Sequence, residues 1–167
     1  FYGCSNLKSA TLSGEISINV FVDCTALTDV VISEHVTKIA KGIFVRCNNL
    51  TNIVVDKNNK VYDSRNNCNA VIEKSSKKLV VGCKNTVIPK GTKKIGDYAF
   101  SGCSDLKSIT IPDSVTSIGE QAFYGCTSLT EVTIPDGVTS IGYHTFGCCE
   151  SLTEVTIPES VTSIGNH

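Results

Sequence analysis

The chain has 167 residues, with 15 Lys and Arg against 16 Asp and Glu, and 41% of it is apolar. That content suffices for a buried core and is too high for a disordered chain. No run of about 18 apolar residues is available to cross a membrane, and near-neutral charge speaks against a nucleic-acid partner.

The first residues already carry a pattern. Phe1, Cys4, Leu7, Ala10 and Leu12 open a unit that returns as Phe21, Cys24, Leu27, Val30, Ile32, Val36 and Ile39, and again as Phe44, Cys47, Leu50, Ile53 and Val55. The step from Phe1 to Phe21 is 20 residues and the next is 23. From Phe44 to Phe100 the distance is 56 residues, two periods plus ten, so an insertion is expected at about residues 57–80. Beyond it the repeat is regular. Pro89, Pro112, Pro135 and Pro158 are 23 apart, and Ile95, Gly96, Phe100 and Cys103 recur at the same step.

A unit this short cannot bury its own apolar side, so the units must stack and share one interior. The expected fold class is an α/β repeat, mostly β: one solenoid over residues 1–167 with coils of about 23 residues. Val132-Thr133-Ile134 alternates like a half-buried strand, and Pro135 ends its hydrogen bonding. Val138 and Ile141 form a second inward pair, and Gly142 is expected to supply a turn. The span from Ala122 to Cys126 fits an irregular or helical turn. Strands of successive coils should lie parallel, about 4.8 Å apart.

The insertion is basic. From Lys57 to Lys94 there are ten basic residues and two acids, whereas the rest of the chain from Asp97 has nine acids and only Lys107 as a base. Val71 to Val80 reads as a β-hairpin with Ser75-Ser76 at its tip. If Lys74 faces Lys77, then Cys68 faces Cys83, and a disulfide between them is open if the register holds that far. A protruding lysine-rich tip would suit acidic partners.

Of nine cysteines, six (Cys4, Cys24, Cys47, Cys103, Cys126, Cys149) occupy one repeat column. Stacked, they form a ladder of small buried thiols. Cys148 lies beside that column, where Gly102 and Gly125 stand in the preceding units, and is expected to be exposed. His35, His144 and His167 have no zinc-type spacing to the cysteines. No cofactor, metal or catalytic motif is indicated: there is no G-x-S-x-G, H-E-x-x-H or P-loop pattern. Asn49-Leu50-Thr51 is a glycosylation sequon, relevant only in a eukaryotic secretory pathway. No leader pattern is visible, and a chain that opens at Phe1 and contains no Met is expected to be an internal piece of a longer protein.

The unit L-x-x-V-x-I-P-x-x-V-x-x-I-G-x-x-A-F-x-x-C resembles the leucine-rich repeats of the BspA-like, or Treponema-type, family. The stretches Val61–Ile72 and Gly82–Pro89 resemble a segment common in Bacteroidales members. The short first unit, and Ser13, Ser33 and Asp56 where the pattern has Pro, depart from it. The resemblance implies a right-handed solenoid with a parallel concave sheet. It also implies a surface-exposed or secreted protein that binds host extracellular-matrix or bacterial surface proteins without catalysis.

On such a solenoid the residues between the inward strand positions form the binding face. They are Asp29, Val31, Asn52, Val54, Val87, Ser108, Thr110, Glu131, Thr133, Glu154 and Thr156, with Ser9 and Thr11 ahead of them. The middle is apolar and the C-terminal end polar and acidic, although β-branched residues also simply favour strands. Glu131 and Glu154 should neighbour each other, which alone is a weak cation site. The leading expectation is a non-enzymatic binding module of an adhesin-like protein; the alternative is a structural spacer that displays other domains.

Overall fold

In every coil the apolar positions alternate for only two to four residues before a turn residue intervenes, so the strands are short. The computed structural model describes residues 1–166; His167 lies outside them. In chain order the strands are β1 (Ser9–Leu12), β2 (Glu15–Ile16), β3 (Asp29–Ile32), β4 (Lys38–Ile39), β5 (Asn52–Val55), β6 (Tyr62–Asp63) and β7 (Val71–Glu73). They continue as β8 (Lys78–Val81), β9 (Lys94–Ile95), β10 (Ser117–Ile118), β11 (Glu131–Thr133), β12 (Ser140–Ile141), β13 (Glu154–Thr156) and β14 (Ser163–Ile164). One 3₁₀ turn spans Arg65–Asn67. No α-helix occurs among the described residues, and about seven coils stack as a β-solenoid. The span from Ala122 to Cys126 is a run of turns.

The strands make two ladders. On the first, β1, β3 and β5 pair in parallel and in register, as do β11 and β13, with Ser108 bridging to Glu131. On the second, β2 pairs with β4, and the order β14-β12-β10-β9-β8-β7-β6 forms one seven-stranded sheet. Inward residues of both ladders fill the interior between them. The phenylalanines stack in two runs: Phe1, Phe21 and Phe44 at 5.3 and 5.5 Å, then Phe100, Phe123 and Phe146 at 5.0 and 5.5 Å. Offset stacking of this kind adds to plain area burial.

The turns also bond from coil to coil. The Phe100 amide donates to the Ala122 carbonyl (2.7 Å) and that of Phe123 to Thr145 (2.9 Å). Two turn columns are left-handed throughout. Gly3, Asp23, Arg46, Gly102, Gly125 and Cys148 form one, and Asn19, Gly42, Tyr98, Gln121 and His144 the other, with φ from 48° to 76°. Gly142 is in neither, so it does not supply the turn expected of it. A Cβ there would lie 2.4 Å from the Glu120 amide nitrogen of the coil below, and the equivalent distances at Gly119 and Gly165 are 2.6 and 2.4 Å. This column is glycine because the coils approach too closely for any side chain.

The insertion is built into the core and does not protrude. β7 and β8 form the expected antiparallel hairpin, but β8 also pairs in parallel with β9, so the hairpin is part of the second sheet. Its two faces are buried on two different sides. Cys68, Ala70, Ile72 and Leu79 belong to the core of the C-terminal coils, whereas Tyr62, Val71, Val80, Val81 and Cys83 belong to that of the N-terminal coils. The hairpin is a septum between two interiors. Its far edge reaches the phenylalanine column: the Gly82 amide donates to the Ala99 carbonyl (2.8 Å), and a Cβ at Gly82 would fall 2.2 Å from the Phe100 ring. Gly82 thus takes the place a phenylalanine would hold, and this is where the aromatic stack breaks.

The disulfide left open between Cys68 and Cys83 is not formed; both thiols are free. Ile72↔Leu79 and Glu73↔Lys78 keep the expected register, but it shifts between Val71 and Ile72, where Val71 faces Val81. A one-residue shift turns a side chain to the opposite face, and the two cysteines end in different cores. The Cys68 carbonyl instead accepts from the Val87 amide at 3.1 Å.

Candidate functional site

The first ladder presents its outward residues as columns. Asp29 pairs with Asn52, Val31 with Val54, Glu131 with Glu154 and Thr133 with Thr156. All of these, together with Val87, Ser108 and Thr110, are exposed. Val31 and Val54 are 39% and 43% exposed and Val87 72%, high values for valines on an ordered surface. The face expected from the sequence therefore exists as a surface, with one change. The apolar middle is not continuous. The Val55 amide donates to the Ser64 hydroxyl (3.0 Å), and the Thr86 hydroxyl donates to the Asn69 carbonyl (2.6 Å). The inserted stretch 64–69 thus runs between β5 and the strand-like segment at Val87. Val31 and Val54 form one apolar pair, and Val87 belongs to the other half of the face.

Beside the apolar pair the polar groups are pre-oriented. Asp29 accepts from the Thr28 hydroxyl at 2.6 Å and from the Asn52 side-chain amide at 3.1 Å. The Thr28 hydroxyl chiefly, with Asn52 second, holds its carboxyl below the ordinary range. Around Val87 a groove of about 670 Å³ is lined by Thr86, Val87, Ser108, Thr110, Lys90 and Asp113, among others. Lys90 and Asp113 did not emerge from the strand pattern. They sit in the turn after Pro89 and Pro112, and the proline column was the available signal for them.

Glu131 and Glu154 are register partners, but no group of three or more metal-type ligands occurs among the described residues. His35 is exposed with its ring 3.7 Å from Glu34. His144 sits in a turn with its ring edge-on to Tyr143 at 4.0 Å. Asn49 is exposed and its side-chain amide donates to the Thr25 carbonyl at 2.8 Å.

The cysteine column has a chemical logic. Cys24, Cys47, Cys126 and Cys149 each donate their thiol to the phenylalanine carbonyl one coil back, at 3.0, 3.0, 3.3 and 3.2 Å. Burial pushes Cys47 up to about 12 and Cys149 up to about 11, and Cys126 upward as well. A thiol that stays protonated is a hydrogen-bond donor and a poor nucleophile. Cys4, at the start of the column, and Cys148, beside it, are exposed.

The profile of the BspA type leucine rich repeat region matches in six copies, over residues 1–78 and 70–167. The chain belongs to the BspA-type leucine-rich repeat family. A solved leucine-rich repeat protein from Eubacterium ventriosum is 29% identical, with a TM-score of 0.80 over 95% of this chain and 48% of its own. The pneumococcal vaccine antigen PcpA is 18% identical, with a TM-score of 0.76 over 96% of this chain and 47% of its own. A leucine rich cell surface protein from Faecalibacterium prausnitzii is 24% identical, with a TM-score of 0.62 over 99% of this chain and 61% of its own. The last two share the fold alone. The chain spans about half the length of the first two of these solved relatives. No curated protein matches it significantly.

Proposed function

We propose that this BspA-type repeat segment is a non-enzymatic protein-binding module of a cell-surface or secreted adhesin-like protein. Its ligand, a host extracellular-matrix or bacterial surface protein, docks on the outward face of the first ladder. The observation that carries the reading is the apolar pair Val31 and Val54, outward-facing and in register, with the braced Asp29–Asn52 pair directly beside it. Exposed apolar side chains with a polar rim are the usual anatomy of a protein contact. The face runs from Ser9 to Thr156 through nearly every coil, enough surface for an interface of ordinary size. Family membership supports a surface role, and one of the solved relatives is described as a cell surface protein.

Val54→Glu and Val87→Glu each place a charge on one half of the face without touching the core. Each is expected to weaken binding to immobilised extracellular-matrix protein about tenfold or more, a loss of about 1.4 kcal/mol, with unchanged circular dichroism. Absence of any saturable binding by the unaltered chain would instead favour a spacer that displays neighbouring domains.

A further inference from the structure

On the second sheet, the two residues ahead of each strand's isoleucine are exposed or half-buried. In three successive coils they are Thr116-Ser117, Thr139-Ser140 and Thr162-Ser163. The threonine hydroxyls are tied to the coil below: Thr116 donates to the Lys93 carbonyl (3.1 Å), Thr139 to Thr116 (3.2 Å) and Thr162 to Thr139 (3.3 Å). At the septum the same two positions become Lys77-Lys78 and Lys93-Lys94. β8 and β9 are parallel with Lys78 directly beside Lys94, and the Lys93 amide donates to the Lys77 carbonyl at 2.9 Å. Four lysine residues are therefore set side by side in a two-by-two block, one strand spacing of about 4.8 Å between the pairs, with Lys77, Lys93 and Lys94 exposed and Lys78 half-buried.

Like charges directly opposite each other on a sheet destabilise it. None of the four lysines makes an ion pair among the described residues. Glu73 is the register partner of Lys78, but its carboxylate accepts from the Ser76 hydroxyl and makes no ion pair with Lys78. Lys74, next to the block, is already bound to the Asn59 carbonyl. The Lys78 stem lies along the sheet beside Gly96, 3.6 Å from where a Cβ there would stand. A local conflict that the surrounding structure does not relieve is the kind found at functional sites.

We propose that this block binds a linear anionic polysaccharide, bearing sulfate or carboxylate groups, that continues along the second sheet over the Ser117, Ser140 and Ser163 hydroxyls. On β8, β9, β10 and β12 no large apolar side chain is exposed, and Ile164 of β14, at the end of the sheet, is the exception, whereas protein interfaces centre on apolar and aromatic residues and Arg. Lysine is a compact point charge that contacts an anion without bidentate geometry, and the serine column offers hydroxyls to a hydrophilic chain. The site is separate from the face proposed to bind protein.

The test measures binding of the intact chain to heparin (sulfated), polygalacturonate (carboxylated), dextran (neutral) and poly-L-glutamate (an acidic polypeptide), at low and physiological salt. Saturable binding to heparin or polygalacturonate is expected, weaker at higher salt, with none to dextran; which of the two binds identifies the anion. K78Q/K94Q is expected to lose at least tenfold in affinity. K8Q/K107Q, with the same change in charge on the side of the first ladder, should stay within about twofold. Circular dichroism should confirm that every variant is folded. Binding to neither polysaccharide, an equal loss in K8Q/K107Q, or poly-L-glutamate binding as tight as the polysaccharides would overturn the proposal.

Discussion

Cys47 shows how a repeat column works at the level of a single side chain. Its thiol donates to the Phe21 carbonyl, and burial raises its pKa to about 12. The folded state therefore favours the protonated form. The stabilisation is complete below the ordinary thiol value near 9 and is lost as pH rises through the folded value. The fall in unfolding free energy between pH 8 and pH 10.5, read by denaturant titration, should accordingly be shallower in Cys47→Ser, whose hydroxyl does not titrate. An identical slope in both proteins would contradict the assignment. The column itself was legible, because the 23-residue step from Cys24 to Cys47 returns from Cys103 to Cys126 and Cys149, which leaves few alternatives. The role of Gly142 was not: a glycine kept at a fixed step serves a left-handed turn or a close approach equally well, and only the 2.4 Å distance to the Glu120 nitrogen separates the two.

Among the elements, the inserted hairpin was legible in part. Its turn and the pairing of Ile72 with Leu79 follow from alternation and a polar tip. Its burial does not, because a hairpin drawn from local sequence has no information about what covers its faces. The continuous run Leu79-Val80-Val81 was the available sign, since strands buried on both sides lose their alternation. The bulge between Val71 and Ile72 was beyond reach, and it moved Cys68 and Cys83 apart. Val71→Ala and Ile72→Ala should each cost about 2 to 4 kcal/mol, although the two side chains enter different cores. Substitution in a projecting hairpin would cost almost nothing, so chemical denaturation of the two variants separates the descriptions.

For the molecule as a whole, the stacking of coils and the outward face followed from the 23-residue period, whereas the division of the interior into two cores did not. In a solenoid, stability is a sum over neighbouring units, and an element that contacts both sides couples them. The septum does this through Val80 and Val81 on one side and Ile72 and Leu79 on the other. It joins the N-terminal and C-terminal coils into one cooperative body and holds the two halves of the outward face in fixed relation. Native-state amide hydrogen exchange tests this most directly. The amides of Ile72, Leu79 and Val80 should exchange in the slowest class, together with those of Val30 and Val132 in the flanking coils. Exchange of the hairpin amides at the rate of an exposed loop, while the coils stay protected, would contradict it.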